Sequence, residues 1–101
     1  MNTTISATIT LGLESPAISE NAAREFYLGA AARCFPDGHR ITEGTGRWLS
    51  PERGVVDEPC LTVHVICPNL ERVRHFAEYC KAGAQQDSVL VEISRPEVLW
   101  I

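Results

Sequence analysis

The sequence predicts an α+β sandwich in the order β-α-β-β-α-β, a four-stranded antiparallel sheet with two helices on one face. Three observations carry this expectation. Segments at 4–13 and 55–67 alternate apolar and polar residues with the period of a strand. Each is followed by a capping residue, Ser19 or Asn69, and then by an apolar stripe at helical spacing. Between the two halves lies a run with hairpin chemistry, Gly44-Thr45-Gly46-Arg47-Trp48, a turn at Ser50-Pro51-Glu52-Arg53-Gly54, and a returning strand.

In the first strand Ile5, Ala7, Ile9 and Leu11 point one way and Thr4, Ser6, Thr8 and Thr10 the other, giving one apolar and one hydroxyl face. Ser15-Pro16 interrupts it. The first helix runs from the Ser19 cap to about Cys34, with Glu20 in the first turn, where the helix dipole favours an anion. Ala23, Phe26, Tyr27, Ala30 and Cys34 form its inward stripe, and Glu20 with Arg24 an outward i,i+4 pair. Phe35-Pro36-Asp37-Gly38 ends it, because the residue before proline avoids helical backbone and Asp-Gly favours a turn.

In the third strand Leu61, Val63, Val65 and Cys67 face inward against Cys60, Thr62, His64 and Ile66. Pro68 ends that strand, and the second helix extends to about Ala82 with Leu70, Val73, Phe76, Ala77 and Cys80 buried; Gly83 suits the position just past its end. The last strand, 88–94, turns Val89, Val91 and Ile93 inward. Short joins and right-handed crossovers arrange this order as a ferredoxin-like split βαβ sandwich.

The 101 residues make one domain, 1–101, with a core small enough that a second subunit would help it; a homodimer is therefore expected. Hydrophobic residues at 45% and charged residues at 22% are ordinary for a globular chain. A net charge of -4 and pI near 5.3 argue against binding to DNA or RNA backbones or to an anionic membrane. The amino terminus, Met1-Asn2-Thr3-Thr4-Ile5-Ser6, lacks a basic region and a long apolar run, so a signal peptide is not expected. Four dispersed cysteines, Cys34, Cys60, Cys67 and Cys80, read as reduced thiols of a cytoplasmic protein.

The sandwich leaves one sheet face uncovered, and parity gives its lining: Ser6, Thr8 and Thr10, then Thr62, His64 and Ile66, then Leu90 and Glu92. If the turn pairs Trp48 with Val56 and Gly46 with Glu58, then Trp48, Glu58 and His64 share that face. Gly44 and Gly46 would leave a hollow beside Trp48, where a flat ligand stacks and Arg47, Arg40 or Arg53 meets an anionic group. The same glycines also fit a β-bulge, and Trp48 an interface plug. The ligand-binding set is thus Trp48, Arg47, Glu58, His64, Thr8 and Thr62.

Catalysis would rest on His64 as general base with Glu58 as its orienting carboxylate. His39, His64, His75 and the cysteines do not approach metal-ligand spacing, so no metal is expected. Without a P-loop, G-x-S-x-G or G-x-G-x-x-G fingerprint no cofactor is expected either. The closing Val98-Leu99-Trp100-Ile101 is apolar enough to fold back on the core or to engage a second copy.

Phe35-Pro36-Asp37-Gly38, Gly46-x-Trp48, Gly54, Glu58 and the Val63/Val65 strand resemble a bacterial family of small domains of unknown function that reads F-P-D-G, G-x-W, glycine, glutamate. The resemblance covers about two thirds of the chain. It implies a ferredoxin-like α+β fold and no assigned activity; many members carry an export or lipoprotein segment, which is not expected here. Two functions follow from the residues. One is a cytoplasmic, non-enzymatic homodimeric binding module holding a small ligand or a host protein on the open face, a format suited to a phage or mobile element that sequesters a host signal nucleotide. The other is a cofactor-independent dimeric α+β barrel enzyme using His64 and Glu58.

Overall fold

The computed structural model describes residues 4–67 and 69–101. The expected strand end at Pro68, and the reading of Met1, Asn2 and Thr3, fall outside them. The elements are β1 (Ile5–Gly12), α1 (Glu20–Cys34), β2 (Arg40–Ser50), β3 (Gly54–Cys67), α2 (Leu70–Gly83) and β4 (Leu90–Ser94). Four antiparallel strands make one sheet in the order β2-β3-β1-β4.

Local chemistry accounts for the helix ends. The Ser19 hydroxyl accepts from the Ala22 N–H at 3.1 Å, and Asn69 Oδ1 accepts from Glu71 and Arg72 at 2.9 and 3.3 Å, satisfying donors that a first turn leaves open. At the other end of α1 the Phe35 N–H donates to the Ala31 carbonyl at 2.9 Å. Arg24 bridges Glu20 at 3.1 Å and also reaches Glu43 on β2 at 3.0 Å, tying the helix surface to the edge strand.

One core lies between the sheet and both helices. Ile5, Ala7, Ile9, Leu11, Leu61, Val63 and Val65 from the sheet meet Ala23, Tyr27, Ala30 and Ala31 of α1 and Val73, Phe76 and Cys80 of α2. Phe35 and Phe76 meet edge to face with ring centroids 5.2 Å apart. All four cysteines are free thiols, and burial pushes the Cys80 thiol up to about 12. No helix among the described residues is long and apolar enough to cross a membrane.

Two boundaries differ from expectation. Gly83 is the last residue of α2 and not its terminator; Ala84 caps the helix and Gln85 takes the left-handed backbone at φ 51°. Glycine is needed at 83 because the Phe26 ring of α1 occupies the space where a side chain would stand. β4 begins two residues late, at Leu90, and its Ile93, like Leu70 of α2, stays partly exposed because an edge strand and a first helical turn have few neighbours. The carboxyl-terminal residues form no regular structure, and Leu99, Trp100 and Ile101 are exposed.

The register is the feature that positions the site. Ser50 pairs with Gly54, Trp48 with Val56, Gly46 with Glu58, and Gly44 with Cys60. Gly54, at φ 74°, supplies the left-handed backbone that closes the turn. Since β1 stops pairing with β3 at Gly12 opposite Cys60, the far half of the β2–β3 hairpin runs on beyond the sheet, and the molecule extends 45 × 25 × 23 Å.

Candidate functional site

The overhanging hairpin forms one wall of a cleft of about 850 Å³. Trp48, Ser50, Val56 and Glu58 line that wall, Thr10 and Gly12 of β1 with Glu14 just beyond it the floor, and the segment 85–90 leading into β4 the opposite side. Strand parity sends Trp48, Val56, Glu58, Thr10 and Leu90 to the same uncovered face.

Two glycines shape the floor. At Gly46 the absent side chain is replaced by the Trp48 ring, which folds back across the strand, so the hollow expected beside the indole is filled by the indole itself. Gly44, one pair along, keeps open space above it. At Gly12 a side chain would stand 2.9 Å from Gln86 Oε1 and 3.0 Å from both Glu58 carboxylate oxygens. Three acceptor oxygens therefore converge over a residue without a side chain.

Their directions are fixed from behind. The Gln86 amide donates through Nε2 to the Glu14 carbonyl at 2.7 Å, which turns Oε1 inward. The Tyr27 hydroxyl, pushed up to about 12 by burial and hence a neutral donor at neutral pH, donates to the Gly12 carbonyl at 2.7 Å and holds the end of β1 against α1. Burial raises the Glu58 carboxyl above the usual carboxylate range; the Trp48 indole lowers it, the Glu14 charge raises it further, and the Glu14 N–H and Arg53 lower it. The Trp48 N–H is buried and closes no hydrogen bond among the described residues, although it lies near enough to Glu58 to favour the ionised carboxylate.

The other sequence-derived candidates lie elsewhere. His64 shares the open face but stands six strand positions from Glu58, about 20 Å at the usual rise per residue. The proposed acid/base pair is therefore not assembled within one chain. Both imidazole nitrogens already meet hydroxyls, Nδ1 with Thr8 directly across on β1 at 3.4 Å and Nε2 with Thr42 diagonally on β2 at 3.2 Å. Thr62 sits between Thr10 and Thr42 in the next row and does not line the cleft. Arg47 projects from the opposite side of the hairpin, where Nε and Nη2 meet the Asp57 carboxylate at 2.6 and 3.0 Å. Arg53, in the turn, is the arginine that lines the cleft.

Sequence reasoning missed Gly12, Glu14 and Gln86. A glycine closing an alternating strand is the one local sign of close approach there. The polar run Gln85-Gln86-Asp87-Ser88 becomes part of a site only through the topology that brings β4 beside β1.

No family model matches the sequence, and no curated protein matches it. The fold is that of several solved structures. A phage SAM lyase in complex with S-methyl-5'-thioadenosine superposes with a TM-score of 0.70 at 20% identity, covering 94% of this chain and 83% of the other. CutA from Synechococcus elongatus gives 0.58 at 10% identity over 92% and 76%, and the B. subtilis GlnK–ATP complex 0.57 at 13% over 94% and 85%. At these identities the likeness is one of fold: the chain has the ferredoxin-like α+β architecture of those proteins.

Proposed function

We propose that the chain binds a small adenosine-type ligand in the cleft between Trp48 and the segment 85–90. The observation that carries this reading is the convergence of Glu58 and Gln86 oxygens over Gly12 beside an indole face. Acceptors grouped in this way call for a ligand that presents donors, and a carboxylate facing paired ribose hydroxyls is a recurrent solution. The Trp48 ring offers a face for a base, while its buried N–H points toward the Glu58 carboxylate. Two of the structures sharing the fold were solved with adenosine compounds, the nucleoside S-methyl-5'-thioadenosine and the nucleotide ATP, which supports the choice of ligand class.

Isothermal calorimetry of the full chain with S-methyl-5'-thioadenosine, which carries no phosphate, tests the proposal. Saturable binding is expected, weakened at least roughly ten-fold by Trp48→Ala and by Glu58→Gln and little affected by His64→Ala. Equal affinity in all variants would refute it.

A second reading, turnover of a sulfonium nucleoside in the same cleft, is favoured by the SAM lyase among the structures that share the fold and by the half-buried Glu58 carboxylate in the cleft wall. Incubation with SAM followed by chromatography for S-methyl-5'-thioadenosine decides it: release lost in Glu58→Gln supports catalysis, and no release leaves a binding protein. Self-association through the uncovered sheet face is part of the proposal, since Ile66 and Leu90 are exposed there. Sedimentation velocity across a concentration series would then give a dimer or larger species, and a monomer throughout would remove that part.

A further inference from the structure

At the other end of the sheet, a recess of about 600 Å³ gathers cationic side chains from the uncovered face and from the first turn of α2. Arg40 opens β2 opposite His64, Arg72 lies in the first turn of α2, His39 precedes Arg40, and Trp100 from the carboxyl-terminal segment forms part of the wall. Asp37 is the one acidic residue in the lining. In a chain of net charge -4 this is a local excess of positive charge.

Neither arginine forms a salt bridge or a side-chain hydrogen bond among the described residues, in contrast to Arg24 and Arg47, which are both committed to carboxylates. Arg72 also sits at the positive end of a helix dipole, where a cation contributes nothing to helix stability. The histidines are held in place: His39 Nδ1–H donates to the Phe35 carbonyl at 3.0 Å, leaving Nε2 for another partner, and His64 is fixed between Thr8 and Thr42. Trp100 is 82% exposed, a large apolar surface left facing the recess.

We infer that this recess is a second ligand site, separate from the Trp48 cleft, and that it takes a phosphorylated small molecule with a planar ring. The phosphate lies between the Arg40 and Arg72 guanidinium groups, whose fork geometry matches phosphate oxygens, and the ring lies against Trp100. The two tryptophans of the chain thus serve one site each.

Inorganic pyrophosphate is the probe. Calorimetry of the full chain should show saturable, salt-sensitive binding. Arg40→Ala and Arg72→Ala, both at exposed positions where folding is not at risk, should each weaken binding roughly ten-fold or more. Trp48→Ala should leave it unchanged, so failure of the adenosine cleft and failure of this site are separable. Absence of binding at millimolar pyrophosphate, or arginine variants that bind as the parent does, would overturn the inference.

Discussion

Gly46→Ala tests the architecture of the cleft with a single methyl group. The backbone at Gly46 is ordinary extended strand, so alanine is locally acceptable and would by itself gain about 0.5–1 kcal/mol through a less flexible unfolded chain. Against this, the new Cβ falls on the Trp48 ring: Cζ2 overlaps it, and Cη2 and Cε2 stand at 2.9 and 3.0 Å. The ring has to swing out, and such overpacking costs about 1–3 kcal/mol. The balance is a loss of about 1–2 kcal/mol, or roughly 4–15 °C in Tm for a domain of this size. Gly44→Ala is the internal control, because nothing lies within 4 Å of its added methyl and the same entropic gain stands alone. Thermal unfolding should therefore separate the two variants, with Gly44→Ala at or above the parent and Gly46→Ala below it. In a Trp100→Phe background the emission of Trp48 should shift to the red in Gly46→Ala and stay fixed in Gly44→Ala. Identical melting and emission in the two variants would refute the placement of the indole over Gly46.

Three further outcomes follow from the geometry. The fold raises the Glu58 carboxyl above its unfolded value, so its favourable contribution is complete below the unfolded pKa and lost as pH rises through the folded one. Glu58→Gln should accordingly raise Tm at neutral pH, with the gain vanishing by about pH 4, as a pH series of melts would read. Arg47→Ala removes an exposed ion pair on the far side of the hairpin; calorimetry should find ligand affinity unchanged and melting Tm unchanged within error. Gly83→Ala gains about 1 kcal/mol of helix propensity but drives a methyl into the Phe26 ring, and a net loss of about 1 kcal/mol, roughly 4–8 °C, is expected by thermal denaturation.

The fold was legible because each element is locally consistent: alternation in β1 and β3, caps at Ser19 and Asn69, and a turn closed by Gly54 all point to one topology. The hairpin register followed from turn length, and with it the shared face of Trp48, Glu58 and His64. Parity, however, says which side a residue faces and not how far along the strand it lies. That is why His64 and Glu58, alike in parity, stand at opposite ends of the sheet. Arg47 was close to Trp48 in sequence but is turned away by the same alternation. The contribution of Gln86 and of the backbone at Gly12 depends on contacts between segments more than 70 residues apart, a distance that no local pattern encodes. At Gly46 the sequence reveals a missing side chain, but whether a ligand or a neighbouring ring fills the space is decided by one rotamer of Trp48.

Because the chain contains two tryptophans, one at each recess, the most direct measurement is a two-dimensional NMR titration of their indole N–H signals with S-methyl-5'-thioadenosine. The Trp48 signal should move saturably while that of Trp100 stays within the noise, and Glu58→Gln should weaken the titration. Movement of Trp100 alone, or of neither signal at millimolar ligand, would contradict the assignment of the Trp48 cleft as the nucleoside site.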